Sequence, residues 1–304
     1  MPHHFADQWI RRQRELGHPL CVGLDPHLDR IPPLFRQGSM DPTDSRTADA
    51  VESFCTAILE RVGGRAAILK PQIAFFERLG WRGLRALGRL TERARQQGLL
   101  VLLDAKRGDI GSTAAGYAEA YLGPQAAIPC DAMTLNPYLG RDTLAPFLQQ
   151  AKANGRGLFV LVKTSNPGSG DLQDRQLDDG STLFETVAAA LAAEAEALRG
   201  PDTGWSSLGV VVGATYPGES ERVRERLPHS LFLVPGYGAQ GGSAAAALSG
   251  FVRGPDGRLE GGLVNSSRGI LFPPGSDTDD KQRWQDAIDE ALAKSIDELR
   301  QAAD

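Results

Sequence analysis

Eight short apolar runs, separated by amphipathic or loop stretches, constrain this chain more than any other feature of it. They lie at 20–25, 66–72, 99–107, 132–138, 158–165, 208–216, 231–238 and 262–270. Most are almost continuously apolar, as a parallel strand must be when both of its faces are covered. Amphipathic segments at 47–62, 81–97, 112–122, 141–153, 181–199 and 282–302 alternate with them. Ser112 and Ser181 read as opening caps, and Gly98 and Gly155 as stops. Eight strand–helix alternations favour an α/β fold of the closed (β/α)8 barrel type, the TIM barrel, over an open doubly wound sheet. Strand count alone does not show closure. At 304 residues the chain has an ordinary length for such a barrel, and no charge block or low-complexity linker divides it. The expectation is a single domain over 1–304, with an N-terminal helix and one long loop at 166–180.

Charge narrows the choice of partners. The net charge is −5, so the chain lacks the basic footprint that nucleic-acid binding needs. A phosphorylated small molecule would have to find a local cationic site instead. The 41% hydrophobic and 23% charged composition is that of a soluble globular protein. Cys21, Cys55 and Cys130 are few and far apart, which fits a reducing compartment rather than a disulfide framework. The opening MPHHFADQWIRRQREL has no apolar core of a signal peptide, and no apolar run approaches the roughly 18 residues of a membrane span. A cytoplasmic protein without membrane or nucleic-acid partners is expected.

In a barrel of this kind the chemistry gathers at the C-terminal ends of the strands. Those ends carry Asp25, Lys70, Asp104 with Lys106, Asn136, Thr164-Ser165, Tyr216, the GYGAQGG loop and Arg268. The sharpest of them is LLDAKRGDIGST at 102–113. If the strand runs through 106, period-two alternation points Asp104 and Lys106 the same way, into the barrel mouth. A lysine beside carboxylates is held protonated, which argues against a Schiff-base role. It argues for an ammonium that stabilises a developing carbanion and then gives it a proton. Asp109 follows in the loop. Two carboxylates about 4 Å apart repel by roughly 4 kcal/mol at an effective dielectric near 20, and Lys70 and Lys106 could offset this in an alternating array. A substrate carboxylate beside Asp104 would feel the same repulsion, and loss of CO2 would relieve it. The plainer alternative is a solvated ion network, which fits poorly with a cluster that directly ends a strongly apolar strand.

At the seventh and eighth runs, VPGYGAQGG (234–242) and NSSRGI (265–270) stand where barrels commonly bind phosphate. Glycines let backbone N–H groups approach phosphate oxygens, a helix start at Ser243 adds a favourable dipole, and Arg268 offers a bidentate fork. Gly236-Tyr-Gly238-Ala-Gln-Gly241 also matches GxGxxG, with Asp256 about twenty residues on, as in a dinucleotide fold. Asp256 sits in a Pro-Asp-Gly turn, however, so that match is weak. A purely structural glycine turn is the other reading.

Asp104-Ala-Lys106-Arg-Gly-Asp109-Ile110, followed by Gly-Ser-Thr113, resembles the signature of the orotidine 5'-phosphate decarboxylases. Lys70 in ILKPQIAFFE and Asp25 in VGLDP match the second-strand lysine and first-strand aspartate of that family. The resemblance implies a cofactor-free decarboxylation of orotidine 5'-monophosphate, with Lys106 as proton donor to C6 and Asp104 and Lys70 completing the array. It implies a homodimer in which Asp109 and Thr113 reach into the partner's site. It assigns ribose contacts to Asp25, Lys70 and Thr113, the pyrimidine edge to Ser165 in KTSNPG, and phosphate contacts to Gln240, Gly241, Arg268 and Gly269. The TSNPG form with its long insert is similar to the bacterial subgroup with longer chains.

Other residues carry less. The five histidines show no HxxxH or HExxH spacing, and Asp171, Asp174, Asp178 and Asp179 lack the spacing of a calcium loop, so no metal site is expected. His27 reads as a loop histidine, Asn136 as the holder of its turn, and Tyr237 as packing. The loop 166–180 is either a lid or a solvated surface loop. Two rivals remain: a magnesium-dependent sugar-phosphate lyase sharing the charged motif, and a silent phosphate-ligand-binding barrel.

Overall fold

The computed structural model describes residues 4–238 and 241–304. The described residues form ten strands: β1 (Leu20–Leu24), β2 (Ile68–Pro71), β3 (Leu100–Arg107), β4 (Ala132–Leu135), β5 (Gly157–Lys163), β6 (Ser206–Val212), β7 (Ser230–Val234), β8 (Val252–Arg253), β9 (Leu259–Glu260) and β10 (Gly262–Ser266). Eight of them close into a parallel barrel in the order β1-β10-β7-β6-β5-β4-β3-β2, which settles closure against the open sheet. The remaining two, β8 and β9, form an antiparallel hairpin. Its turn is the expected one: Asp256 accepts the Arg258 N–H at 3.1 Å and Gly257 takes φ +83.

Alternation along each strand sorts the apolar residues into two layers. Cys21, Ile68, Leu100, Leu102, Ala132, Phe159, Val211, Leu233 and Leu263 pack together inside the barrel. Val22, Leu69, Val101, Leu103, Met133, Val160, Val210 and Val264 pack outward against the helices. Helix Phe5–Leu16 joins the inner layer and closes the N-terminal end of the barrel. Phe5 meets Phe159 edge to face at 5.9 Å, and Trp9 Nε1 donates to Gly262 O at 3.2 Å. Gly157 makes room for this plug, because a Cβ there would stand 2.4 Å from the Phe5 ring. Each large apolar side chain so buried contributes about 1.5–3 kcal/mol. With the lower mouth filled, ligands have access only from the C-terminal end.

The helices follow the sequence with local corrections. Ser112 does not cap its helix. The helix begins at Gly111, preceded by Ile110, and has no side-chain cap. Ser181 is likewise displaced by Thr182, whose N–H and hydroxyl both reach the Glu185 carboxylate, at 3.0 and 2.8 Å. The segment 181–199 forms two helices, Leu183–Ala190 and Ala192–Ala197. Helix Pro217–Arg226 leaves no periodic signal in the sequence, because PGESERVRER buries only Ser220, Val223 and Arg224 and shows no apolar stripe. Among the described residues, no helix is long and apolar enough to cross a membrane.

Candidate active site

The inner rows of the barrel supply the site. Above Ile68 the row on β2 continues to Lys70, and above Leu100 and Leu102 the row on β3 continues to Asp104. Both are held where their strands place them, buried at the C-terminal end of an apolar wall. Lys70 Nζ donates to Asp104 Oδ2 at 2.8 Å, and Lys106 Nζ donates to Asp104 Oδ1 at 2.5 Å. Burial alone would raise the Asp104 carboxyl. The charges and hydrogen bonds of Lys70 and Lys106 outweigh it and hold that group well below the usual carboxylate range. Burial would likewise lower Lys70, but Asp104 and Asp25 outweigh it and hold the ammonium above its ordinary value.

The two lysines differ in access. The Lys70 side chain is 5% exposed, whereas that of Lys106 is 45% exposed. Lys106 therefore both pairs with Asp104 and faces the open mouth. Its backbone is unusual, with φ +47. A left-handed conformation costs a side-chain-bearing residue about 1–3 kcal/mol and persists only where its surroundings impose it. Period-two alternation brings Lys106 beside Asp104 only in part, because β3 and β4 lose register between Leu103 and Arg107. The strand bulges there, and the bulge sets the lysine.

The remaining candidates are spread around the rim in strand order. Asp25 follows β1, half-buried, and among the described residues its Oδ1 has no hydrogen-bond partner. Asp109 lies beyond β3 and, among the described residues, accepts only its neighbour's N–H, from Ile110 at 2.8 Å. Among the described residues it makes no ion pair, so the expected second carboxylate is not delivered to the cluster by its own chain. Within one chain the array is two ammonium groups on one carboxylate. Thr113 is exposed in the first turn of the following helix. Ser165 lies two residues past β5, half-buried, and Gly213 gives way to it: a Cβ at 213 would lie 2.9 Å from the Ser165 side chain. Asn136 holds its turn by accepting the Tyr138 N–H at 3.0 Å.

The loops after β7 and β10 are neighbours, because those strands pair. Gly236, Gly238 and Gly241 take φ of +99, +70 and +89, conformations that only glycine adopts without strain. Gln240 lies outside the described residues. The helix after Ser243 is a single turn, Ala244–Ala247, so the dipole expected there is small. Arg268 and Gly269 are exposed at the start of the turn Arg268–Leu271, and Arg268 forms no salt bridge among the described residues. The dinucleotide reading fails, since the GxGxxG loop sits on a closed barrel and Asp256 is spent on the β8–β9 turn. Tyr237 is buried and donates to Glu298 at 2.6 Å, as a packing residue.

Three features escaped sequence reasoning. Thr134 is fully buried next to Asp104 and donates to its Oδ1 at 3.0 Å. Carrying the inner row of β4 one step past Ala132 places it inside the barrel, but its bond to Asp104 depends on the register slip of β3. Lys163 is fully buried, pairs with Asp174 and lies over the Tyr216 ring at 4.4 Å. Gln173 brackets Thr164, accepting its N–H and donating to its hydroxyl, both at 2.9 Å. The part of loop 166–180 that contains Gln173 and Asp174 is thus fastened to the end of β5.

The profile of the family described as "Orotidine 5'-phosphate decarboxylase / HUMPS family" matches residues 18–273. A Rhodopirellula baltica protein named orotidine 5'-phosphate decarboxylase is 42% identical over 97% of this chain and 99% of its own length. One of the same name from Deinococcus radiodurans is 42% identical over 90% of this chain and 91% of its own. The solved structure of Leishmania donovani OMP decarboxylase superposes with a TM-score of 0.73 at 34% identity, covering 99% of this chain and all of the other.

Proposed function

The chain belongs to the orotidine 5'-phosphate decarboxylase / HUMPS family, and from that premise we propose that it converts orotidine 5'-monophosphate to uridine 5'-monophosphate in pyrimidine biosynthesis, as a carboxy-lyase. The observation that carries this reading is the half-exposed Lys106 ammonium, paired with a buried carboxylate that Lys70 holds from below. The bond from C6 to the carboxylate breaks, CO2 leaves, and the electron pair stays on C6. Lys106 stabilises that carbanion and gives it a proton, then regains one from solvent. Lys70 is too enclosed for that transfer and serves to fix Asp104. Asp25, with its unpartnered Oδ1, suits a ribose hydroxyl. Ser165 suits the pyrimidine edge, and Arg268 with the glycine loop suits the phosphate, across the mouth from the charged array. Three buried, unpaired cysteines accord with a cytoplasmic setting.

The family description alone does not separate this activity from the sugar-phosphate rival; the names of the curated relatives favour the decarboxylase. The direct test is pyrimidine absorbance against time with orotidine 5'-monophosphate and excess chelator. Turnover that disappears in Lys106→Ala supports the proposal. No turnover from folded protein, followed by activity on a phosphorylated keto-sugar acid with magnesium, would replace it.

We further propose a homodimer with shared sites. Ile110, Tyr138 and Leu139 are 63%, 78% and 52% exposed around the loop that carries Asp109. A second copy would cover these apolar side chains and place Asp109 and Thr113 beside the partner's array. Mixing Lys106→Ala with Asp109→Ala chains should then restore activity, because each hybrid has one intact site. Random exchange makes about half the dimers hybrid, so recovery should approach about one quarter of the wild-type rate. No recovery after verified subunit exchange would refute the shared site.

A further inference from the structure

We infer that Thr134 is a positioning residue for the charged array: its hydroxyl builds the β3 bulge that aims Lys106 and orients Asp104. The inference rests on the decarboxylase reading for its kinetic arm. Between Leu103 and Arg107 β3 takes four residue steps, where β4 takes two from Met133 to Leu135. The extra length leaves the N–H groups of Ala105 and Lys106 without strand partners. Thr134 Oγ1 accepts both, at 3.0 and 2.8 Å, and donates its own hydrogen to Asp104 Oδ1 at 3.0 Å. A hydroxyl has one donor and two lone pairs, so every valence of this one is used. Arg107 O then accepts the Asn136 N–H at 2.8 Å and closes the bulge from above.

The consequences meet at the reacting end of the site. One oxygen atom fixes the left-handed backbone of Lys106 and, through Asp104, the carboxylate that receives its ammonium. Thr134 is itself fully buried, and it reaches the array only through these two residues. A valine has the same shape without the hydroxyl and would leave the Ala105 N–H facing apolar surface. No other side chain of the described residues accepts from these two amides.

The test compares Thr134→Val and Thr134→Ser with wild type in three readouts: steady-state kinetics, Tm, and amide hydrogen exchange of the segment 104–107. In Thr134→Val we expect kcat to fall about 10²-fold, as for a reacting group misplaced by about 1 Å, with KM little changed. Exchange at Ala105 and Lys106 should accelerate while the rest of the barrel keeps its protection. Thr134→Ser, which keeps the oxygen, should return both readouts close to wild type. A Thr134→Val protein with lower Tm but wild-type kcat per folded molecule would reduce Thr134 to a packing residue and overturn the inference. So would unchanged exchange at 105 and 106. If wild type itself fails to decarboxylate, the functional reading falls, while the exchange arm still decides whether Thr134 holds the bulge.

Discussion

Lys106→Ala should lose essentially all turnover of orotidine 5'-monophosphate while still binding the product. Lys106 has two tasks in the proposed mechanism, and both vanish with its ammonium. Proton delivery by a positioned acid is worth about 10²–10⁴-fold, and removing a charge that faces a developing carbanion costs about 10²–10³-fold more. A fall in kcat of about 10⁴-fold or greater is therefore expected. The fold should tolerate the change. The Lys106 side chain is 45% exposed, and Asp104 keeps Lys70 at 2.8 Å and Thr134 at 3.0 Å. Product affinity should change little, because the proposed contacts of Asp25 with ribose and of Arg268 with phosphate come from other strands. Steady-state kinetics and a titration with uridine 5'-monophosphate check both halves. Wild-type turnover in the variant would remove Lys106 as the donor, and a proportional loss of product binding would recast it as a binding residue.

The fold and the array were legible to different depths, for physical reasons. Parallel strands covered on both faces leave apolar runs that stand out in any sequence, so all eight barrel strands were found. Charges that end such runs also stand out, and Lys70, Asp104 and Lys106 do meet at one carboxylate. What failed to show was what depends on register. Thr134 reads as an ordinary β-branched strand residue until the two-step slip on β3 places it opposite two unpaired amides. Asp109 lies five residues from Asp104, yet among the described residues it pairs with neither lysine. The Lys163–Asp174 pair depends on how an irregular loop folds back, and no periodicity encodes that. The helix Pro217–Arg226 is polar nearly all round, so it left no stripe to read. Glu185, reached by Thr182 rather than Ser181, shows the same limit one residue wide.

Asp104→Asn should cost both catalysis and stability, and its stability cost should shrink as pH rises. Asparagine keeps the shape and an acceptor oxygen but withdraws the charge that offsets two lysines. Removing one partner of a buried pair typically costs about 3–5 kcal/mol, because the other charge is left buried. In wild type the carboxyl of Asp104 is depressed, so its contribution is present above the unfolded value near 3.9 and is lost as pH falls through the folded one. Lys70 is raised, so its contribution is present below about 10.4 and is lost only as pH climbs through its higher folded value. From about pH 5 to pH 9 the pair therefore contributes a constant stabilisation. In Asp104→Asn, burial acts on Lys70 with Asp25 and, more weakly, Cys21 left to oppose it, and the folded ammonium is expected to become easier to deprotonate than the unfolded one. The cost is then full while Lys70 is charged in both states, and it declines by up to about 1.4 kcal/mol per pH unit toward pH 10.4. Urea unfolding of both proteins at pH 7, 8, 9 and 10 measures this directly. The gap between variant and wild type should narrow toward the alkaline end of the series. A gap that stays constant would mean that Lys70 is not the group left exposed to burial, and the coupling of Lys70 to Asp104 would lose its place in the account of the site.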